Sequence, residues 1–261
     1  MQVIIRPDTN SAAELAADLV ADALLLRPNL DLGLATGRTM EIVYSLLAKK
    51  HREEGLDFSL CKTFNLDEYV GLPPENRNSY RFYMNENLFD KINIDHRNTH
   101  LPNGVAPDLE RECRHYERLI REEGGIDLQL LGIGRSGHIG FNEPLSALQS
   151  RTREKALTPV TFAQNSPLFD RPEDMPKRAL TMGIGTILEA KRIVMLATGK
   201  EKAAIIAKAV EGPITSMISA SALQLHPRCV VIVDEDAAGM LQEKEYYRWI
   251  FQNEPEWEPY R

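Results

Sequence analysis

The sequence predicts an α/β protein built on an open, mostly parallel sheet that is flanked by helices on both faces. Short apolar runs rich in β-branched residues alternate with longer segments of helical periodicity, which is typical of βα units. The run at residues 126–133 is almost wholly apolar, as expected of a central parallel strand buried on both faces. Neither a repeat nor an interdomain linker interrupts the alternation. We therefore expect a single domain over residues 1–261.

The amino-terminal segment predicts a strand followed by a helix. Residues 3–5 are the apolar run of the strand, and Ser11 and Glu14 have the spacing of a capping box at the helix start. Apolar residues then recur on one helical face until Pro28, which marks the end of the helix.

Two more strands and three more helices are predicted before residue 126. A strand at residues 30–35 leads through a glycine turn into a helix, and residues 61–69 predict a strand that ends in two carboxylates. The Pro-, Asn- and Gly-containing residues behind that strand predict a loop. Further helices are expected at about residues 79–90 and after Pro107, which suits a first helical position.

Residues 134–176 form the longest stretch without a clear period. They are rich in Ser, Thr, Asn, Gly and Pro, and a loop of this length inside a compact domain usually has a function. We expect part of the site here, with a lid over about residues 144–176. Three strands are predicted after it, at residues 178–184, 192–198 and 229–235. The complete pattern corresponds to a Rossmann-like arrangement.

Charge and composition disfavour several classes of protein. The 38 acidic and 31 basic side chains are mixed along the chain and give a net charge of −7, which disfavours nucleic acid and membrane surfaces as partners. A small phosphorylated ligand is still compatible, because a few backbone N–H groups and basic side chains suffice to bind it. The three cysteines lack the spacing of a zinc site, and no signal-peptide or membrane-spanning pattern is present. We therefore expect reduced thiols and a cytoplasmic protein.

Three turns that follow predicted strands carry polar residues, and parallel sheets bind ligands beyond the carboxyl ends of their strands. The first turn is Thr36-Gly37-Arg38-Thr39, where a glycine precedes a helix and the free N–H groups of the helix end favour an anion. The alternative is an ordinary strand-to-helix turn.

The second turn carries the adjacent acidic residues Asp67 and Glu68. Because side chains alternate along a strand, one should point toward the cleft and the other away from it. One of the two is a candidate general base. The alternative is a solvated acidic strand end.

The third turn surrounds His138 with four glycines and places Asn142 and Glu143 close behind. Glycines give the backbone freedom, histidine titrates near neutral pH, and a nearby carboxylate can fix its tautomer. The alternative is a structural histidine. The other histidines lie among surface-like or turn residues and are not expected at the site. The glycines do not have the spacing of a dinucleotide-binding fingerprint.

These motifs, in this order and spacing, resemble the glucosamine-6-phosphate deaminase family from the first strand to the last helix. The most specific are FNLDEYVGL and GHIGFNEP, and they are accompanied by LGLATG, NSYRFYM, LPNG, SRTR, ALTMGIGTIL and LQLHP. The resemblance implies an enzyme of amino-sugar catabolism that converts glucosamine 6-phosphate and water into fructose 6-phosphate and ammonia. It implies neither a metal nor an organic cofactor.

The resemblance also implies roles for individual residues. His138 would assist opening of the sugar ring, Glu143 would hold and polarise its imidazole, and Asp67 would move a proton from C2 to C1. Ser136 stands beside the histidine where the family commonly has Asp or Asn. The residues implied in binding the 6-phosphate are Thr36, Gly37, Arg38, Thr39 and Lys202.

Two further departures affect phosphate binding. The family commonly has glycine where this chain has Arg38, and its phosphate-binding arginine aligns with Pro167. The pair is either a compensating exchange or the mark of a different sugar, and a gluco or galacto configuration is not distinguished.

A regulatory site is implied by a second set of matches. Ser146, Arg153 and Lys155 match residues that line an allosteric site for N-acetylglucosamine 6-phosphate in hexameric bacterial members, and residues 245–252 resemble the carboxy-terminal extension of those members. A homo-hexamer is therefore expected. The alternative for Arg153 and Lys155 is that they are solvated basic residues.

Two other functions stay open at the level of sequence. One is a related sugar-phosphate isomerase or lactonase that acts without amine loss, and the other is a catalytically silent sugar-phosphate sensor. Ammonia release separates the first from a deaminase, and any turnover excludes the second.

Overall fold

Strands and helices alternate along most of the chain, in a computed structural model that describes all 261 residues. The strands are Gln2–Arg6 (β1), Asp31–Leu34 (β2), Lys62–Asn65 (β3), Asp67–Tyr69 (β4), Thr99–His100 (β5), Leu128–Leu131 (β6), Arg153–Ala156 (β7), Arg178–Thr181 (β8), Arg192–Ala197 (β9) and Cys229–Asp234 (β10). The α-helices are Thr9–Leu26 (α1), Arg38–Glu54 (α2), Tyr80–Asn87 (α3), Leu109–Glu122 (α4), Pro159–Asn165 (α5), Ile184–Leu188 (α6), Ala203–Val210 (α7) and Lys244–Asn253 (α8).

Seven strands form one parallel sheet in the order β1-β10-β9-β6-β2-β3-β5. The apolar run at residues 126–133 supplies β6, which is the middle strand and is buried along its whole length. A cluster of 60 buried apolar residues packs this sheet against the surrounding helices. The predicted α/β class with a mostly parallel sheet is confirmed.

A second, three-stranded antiparallel sheet in the order β4-β8-β7 was not expected from the sequence. The single strand predicted at residues 61–69 is wrong, because the chain changes sheets at Leu66. The Leu66 N–H donates to the Leu34 carbonyl at 3.0 Å in the main sheet, and its own carbonyl accepts from Met182 N–H at 2.7 Å. Asp67 therefore begins a strand of the small sheet instead of ending one of the large sheet.

The other two strands of the small sheet also correct the sequence analysis. Residues 178–184 were expected in the parallel sheet, but β8 pairs with β4 and β7. Residues 134–176, expected as a loop, contain β7 and α5. The sequence does not show β7 as a strand, because REKA lacks the alternation of apolar and polar residues. The burial of its side chains does alternate in the structure.

The start of α1 is capped differently from the prediction. Asp8 is the N-cap, and its side chain accepts from Ser11 N–H at 2.8 Å while Asp8 N–H donates to Ser11 Oγ at 3.2 Å. The predicted pair of Ser11 and Glu14 is wrong because aspartate caps a helix as well as serine does, so the helix begins three residues earlier. Glu14 is exposed on the helix.

Several smaller expectations can be compared with the structure. His226 itself is buried, with its Nε2 2.7 Å from the Ala190 carbonyl, and the residues around it, Leu225, Pro227 and Arg228, are exposed as expected. The cysteines at 61, 113 and 229 are buried and unpaired. No helix has both the length and the apolar character needed to cross a bilayer.

The capping pair at α1 generates a stability prediction. Asp8→Ala should lower the free energy of unfolding, because the Ser11 N–H loses its acceptor. Urea denaturation monitored by circular dichroism measures this loss. Glu14→Ala, at the exposed position first expected to cap, is the control and should change stability by less than about 0.5 kcal/mol. Equal losses in the two variants would contradict the observed cap.

Candidate active site

The candidate site lies where adjacent parallel strands end. Strands β9, β6, β2 and β3 are neighbours in the sheet, so the segments that follow them meet at its carboxyl edge. These segments carry Lys202 after β9, His138 after β6, Gly37 after β2 and Asp67 after β3. The predicted turns are therefore brought to one edge by the topology of the sheet.

Ser136, His138 and Glu143 form one hydrogen-bonded cluster in the segment after β6. The His138 Nδ1 lies 2.8 Å from Ser136 Oγ and 3.2 Å from Glu143 Oε2. The histidine side chain is 11% exposed and the glutamate side chain 2%. A Cβ on Gly134 would lie 2.0 Å from His138 Nε2, so the imidazole can occupy this place only against a glycine.

The Glu143 carboxylate keeps its charge despite its burial. Burial raises the pKa of Glu143, but hydrogen bonds from His138 and Thr161 lower it more, and the pKa is about 2. Since an ionised carboxylate only accepts hydrogen bonds, the hydrogen between it and the imidazole belongs to His138 Nδ1. The other ring nitrogen, Nε2, is then free to exchange a proton with a ligand.

The adjacent carboxylates Asp67 and Glu68 have different environments. Glu68 Oε1 accepts from the backbone N–H groups of Tyr69 and Tyr80, at 2.8 and 2.9 Å, and Oε2 accepts from that of Arg81 at 3.0 Å. Glu68 therefore fixes the start of α3 against β4. Neither carboxylate is solvated, since the two residues are 6% and 4% exposed.

Asp67 accepts no hydrogen bond within the chain and faces the segment that carries the histidine. A Cβ on Gly140 would lie 3.4 Å from Asp67 Oδ2, and Gly140 has a φ of 55°, which glycine adopts readily. Burial, with the nearby charge of Glu68, raises the pKa of Asp67 to about 8. A carboxyl group with such a pKa can accept and return a proton near neutral pH.

The turn after β2 forms an uncapped helix end. Gly37 is the N-cap of α2 with a φ of 123°, and no side chain caps its N–H groups. Thr36 and Thr39 are half-buried beside it, and Arg38 is exposed and forms no ion pair. Free N–H groups together with an arginine are suited to an anion.

Lys202 reaches the same edge of the sheet from the segment after β9. Its Nζ donates to the Ile133 carbonyl at 2.8 Å, and burial lowers the pKa of Lys202. The exposed Arg135, two residues beyond Ile133, adds positive charge near this ammonium group. Pro167 lies elsewhere, in a 3-10 turn after α5.

In the second predicted set, Arg153 and Lys155 lie on β7, an outer strand of the small sheet, and Ser146 lies in the segment before that strand. Arg153 Nη1 donates to Asn142 Oδ1 at 2.9 Å, so the interpretation of Arg153 as a merely solvated residue is wrong. Its Nη2 and the Ser146 Oγ are buried and have no hydrogen-bond partner. Lys155 is half-buried two residues along β7.

Sequence reasoning missed the residues that approach Glu143 from α5. Thr158 N–H donates to Glu143 Oε1 at 3.3 Å, and the Thr161 hydroxyl donates to the same oxygen. A signal for the helix was present, because Thr158 followed by Pro159 is an N-cap followed by a favoured first helical residue. Nothing in the sequence indicated that this helix would contact Glu143. No group of three or more His, Cys, Asp or Glu side chains is arranged to hold a metal ion.

Comparison with known proteins agrees with the fold. The profile of a family described as glucosamine-6-phosphate isomerases/6-phosphogluconolactonase matches residues 8–231, and the chain belongs to this family. Within it, the chain is similar to curated glucosamine-6-phosphate deaminases. That of Pseudoalteromonas translucida is 46% identical over 98% of this chain and 96% of its own, and that of Clostridioides difficile is 48% identical over 94% and 99%.

Solved structures support the same assignment to a family. A monomeric glucosamine-6-phosphate deaminase superposes with a TM-score of 0.90 at 45% identity, covering 92% of this chain and all of its own. The 6-phosphogluconolactonase of Trypanosoma brucei has a TM-score of 0.73 at 18% identity over 92% and 98%, which shows a shared fold only.

The raised pKa of Asp67 generates a prediction about stability and pH. A carboxyl group whose pKa is raised on folding stabilises the folded protein. This contribution is fully present when the pH is below the pKa of the unfolded chain, 3.8, and it is lost as the pH rises through the folded-state pKa of about 8. Asp67→Asn stays neutral, so its melting temperature relative to the unsubstituted protein should rise between pH 5 and pH 9. Differential scanning calorimetry across this range measures the difference.

Glu68→Gln is the matched control for Asp67→Asn. It replaces a charged acceptor of three backbone N–H groups and should lower the unfolding free energy by about 2 kcal/mol at pH 7. The difference in melting temperature between Asp67→Asn and the unsubstituted protein is the decisive quantity. If this difference does not rise toward pH 9, Asp67 is not held protonated in the folded protein.

Proposed function

We propose that the protein converts glucosamine 6-phosphate and water into fructose 6-phosphate and ammonia in amino-sugar catabolism, with residues 1–261 acting as one unit. The observation that carries the proposal is the pairing of a buried, unpartnered Asp67 with the Ser136–His138–Glu143 cluster across Gly140. The deaminases that match nearly the whole chain support it. The lactonases are too distant in sequence to favour the alternative without amine loss.

Ring opening is the first step that the geometry supports. Neutral His138, with its hydrogen on Nδ1, accepts the anomeric hydroxyl proton at Nε2 and returns that proton to the ring oxygen O5 as the C1–O5 bond breaks. Glu143 stabilises the imidazolium that forms transiently, because it stays ionised beside Nδ1.

Isomerisation follows at Asp67. The Asp67 carboxylate removes the proton from C2 and returns it to C1 through an enediol-like intermediate, and water then replaces the amine at C2 with release of ammonia. One carboxylate can serve both carbons because they are adjacent. Every step moves protons between side chains, water and the sugar, so the proposed chemistry uses no cofactor.

The phosphate is proposed to bind at the end of α2. The groups proposed to hold it are the uncapped N–H groups after Gly37, the hydroxyls of Thr36 and Thr39 and the ammonium of Lys202, in segments that follow β2 and β9 at the carboxyl edge of the sheet. Pro167 has no charge to offer the phosphate, and the unpaired Arg38 guanidinium would supply it. We therefore propose that Arg38 takes the place of the arginine expected at position 167.

The assignment of Asp67 predicts a specific loss of activity. Asp67→Asn should abolish exchange of the C2 proton with solvent and reduce ammonia release by roughly 10²–10⁴-fold, because an amide is not a base. Proton exchange is followed by NMR in D₂O and ammonia by a coupled assay. Binding of the non-reactive glucitol 6-phosphate should be nearly unchanged. Exchange at the original rate would exclude Asp67 as the base, and an unsubstituted protein that releases no ammonia would exclude the deaminase function.

The assignment of Arg38 predicts a loss that depends on the phosphate. Arg38→Ala should weaken glucitol 6-phosphate binding by about tenfold or more, because a charge-assisted hydrogen bond to phosphate is lost, and should leave unphosphorylated glucitol unaffected. Titration calorimetry compares the two ligands. Arg52→Ala removes an exposed arginine from the opposite end of the same helix and is the control. Equal losses for both ligands would indicate a structural role for Arg38.

A regulatory anion site is proposed at Ser146, Arg153 and Lys155. The buried Ser146 Oγ and Arg153 Nη2 lack partners and are available to the oxygens of an acetylated amino-sugar phosphate such as N-acetylglucosamine 6-phosphate. The homo-hexamer and the cytoplasmic location stay predictions, and the 45% identical neighbour described as monomeric shows that relatives need not be hexameric.

The regulatory site predicts activation that depends on Lys155. N-acetylglucosamine 6-phosphate should lower the substrate concentration for half-maximal rate, and Lys155→Ala should weaken this response without changing the unactivated rate. Light scattering with and without the ligand gives the oligomeric state. Unchanged kinetics at saturating ligand would contradict the regulatory site, and a monomeric mass would contradict the hexamer.

A further inference from the structure

The two carboxylate oxygens of Glu143 contact two different segments of the chain. Oε2 lies 3.2 Å from His138 Nδ1 in the segment after β6. Oε1 accepts from Thr158 N–H at 3.3 Å and from the Thr161 hydroxyl, both at the start of α5. The orientation of the carboxylate is therefore fixed from the side opposite the histidine.

The Thr161 hydroxyl donates to this carboxylate and accepts from the Thr158 hydroxyl at 3.3 Å. The residue is 1% exposed, so no water replaces its contact with Glu143. Because Glu143 is ionised, the hydroxyl of Thr161 must be the donor. His138 is the only ionisable group that contacts the carboxylate. Arg153 on β7 donates to Asn142, the residue before Glu143.

The same face of α5 also contacts the strand that carries Asp67. Asn165 lies four residues after Thr161, so the two side chains project from one side of the helix. Asn165 Nδ2 donates to the Tyr69 hydroxyl at 3.1 Å, and Tyr69 lies two residues after Asp67 in β4. One helix face thus contacts both parts of the candidate site, the histidine cluster and the aspartate strand.

We propose that Thr161 is a positioning residue that holds Glu143 against His138, so that the seating of α5 on the site orients the catalytic imidazole. The role given to His138 rests on the proposed function, whereas the coupling of α5 to the imidazole is a property of the folded chain. When α5 moves away, Glu143 loses its donors on Oε1, and the carboxylate is no longer held at Nδ1. The imidazolium then loses the stabilisation that a fixed carboxylate gives it.

The test compares Thr161→Val, which keeps the shape and removes the donor, with Thr161→Ser, which keeps the hydroxyl. The side-chain pKa of His138 is measured by NMR in histidine-labelled protein, with the signal assigned by a His138→Gln variant. We expect a lower His138 pKa in Thr161→Val and a value restored toward the original in Thr161→Ser. The histidine-dependent limb of the pH–rate profile should move in the same direction, with kcat reduced by about tenfold or more.

A matched control separates positioning from simple loss of stability. Thr186 on α6 is buried and donates to Glu117 Oε1 at 2.6 Å, so Thr186→Val removes the same type of hydrogen bond elsewhere. This variant should lose stability without moving the His138 pKa. If Thr161→Val does not fold, Thr161→Cys, a weak donor of similar shape, gives the same comparison with a smaller shift.

The outcomes distinguish this inference from the proposed function. An unchanged His138 pKa in folded Thr161→Val or Thr161→Cys overturns the coupling, whatever the rate of turnover. A lowered pKa that serine restores supports it, even if the unsubstituted protein releases no ammonia. In that case the coupling stands and the deaminase function fails.

Discussion

The charge of the buried Glu143 carboxylate is the feature on which the geometry of the site depends. Burial alone would protonate this group, and a protonated carboxyl would compete with His138 Nδ1 for the shared hydrogen position. The donors that keep it ionised come from segments far apart in the sequence, His138 on one side and Thr158 and Thr161 on the other. In this arrangement, the position of the carboxylate beside His138 Nδ1 is supported by the contacts of α5 with Glu143.

The two carboxylates of the candidate site differ in pKa because their surroundings differ. Glu143 accepts several hydrogen bonds and has a pKa of about 2, whereas Asp67 accepts none and has a pKa of about 8. Opposite shifts of this kind accompany a division of roles between a permanent charge and a group that transfers protons. In the proposed reaction, the ammonium of the substrate beside Asp67 would favour the carboxylate form that acts as the base.

The departures of this chain from its family can now be placed in the structure. Ser136 Oγ is within hydrogen-bond distance of His138 Nδ1, so it retains a contact but contributes no charge, and Glu143 provides the electrostatic support. Arg38 stands at the first turn of α2, and Arg135 lies near Lys202. Both put positive charge at the carboxyl edge of the sheet, where the helix end already favours an anion. Both arginines thus lie at the edge where the phosphate is proposed to bind.

The sequence by itself determined the parallel sheet, its central strand, most helices and the three turns that form the site. These features follow from local periodicity, from glycine turns and from the rule that parallel strands end at a common edge. The change of sheets at Leu66, the antiparallel pairing of β4 with β8 and β7, and the contact of Thr161 with Glu143 were decided only by the tertiary structure. Each depends on hydrogen bonds between residues distant along the chain, and a backbone N–H or a threonine hydroxyl looks the same in the sequence whichever partner it binds. The pKa of Asp67 likewise depends first on burial, which no pattern of neighbouring residues specifies.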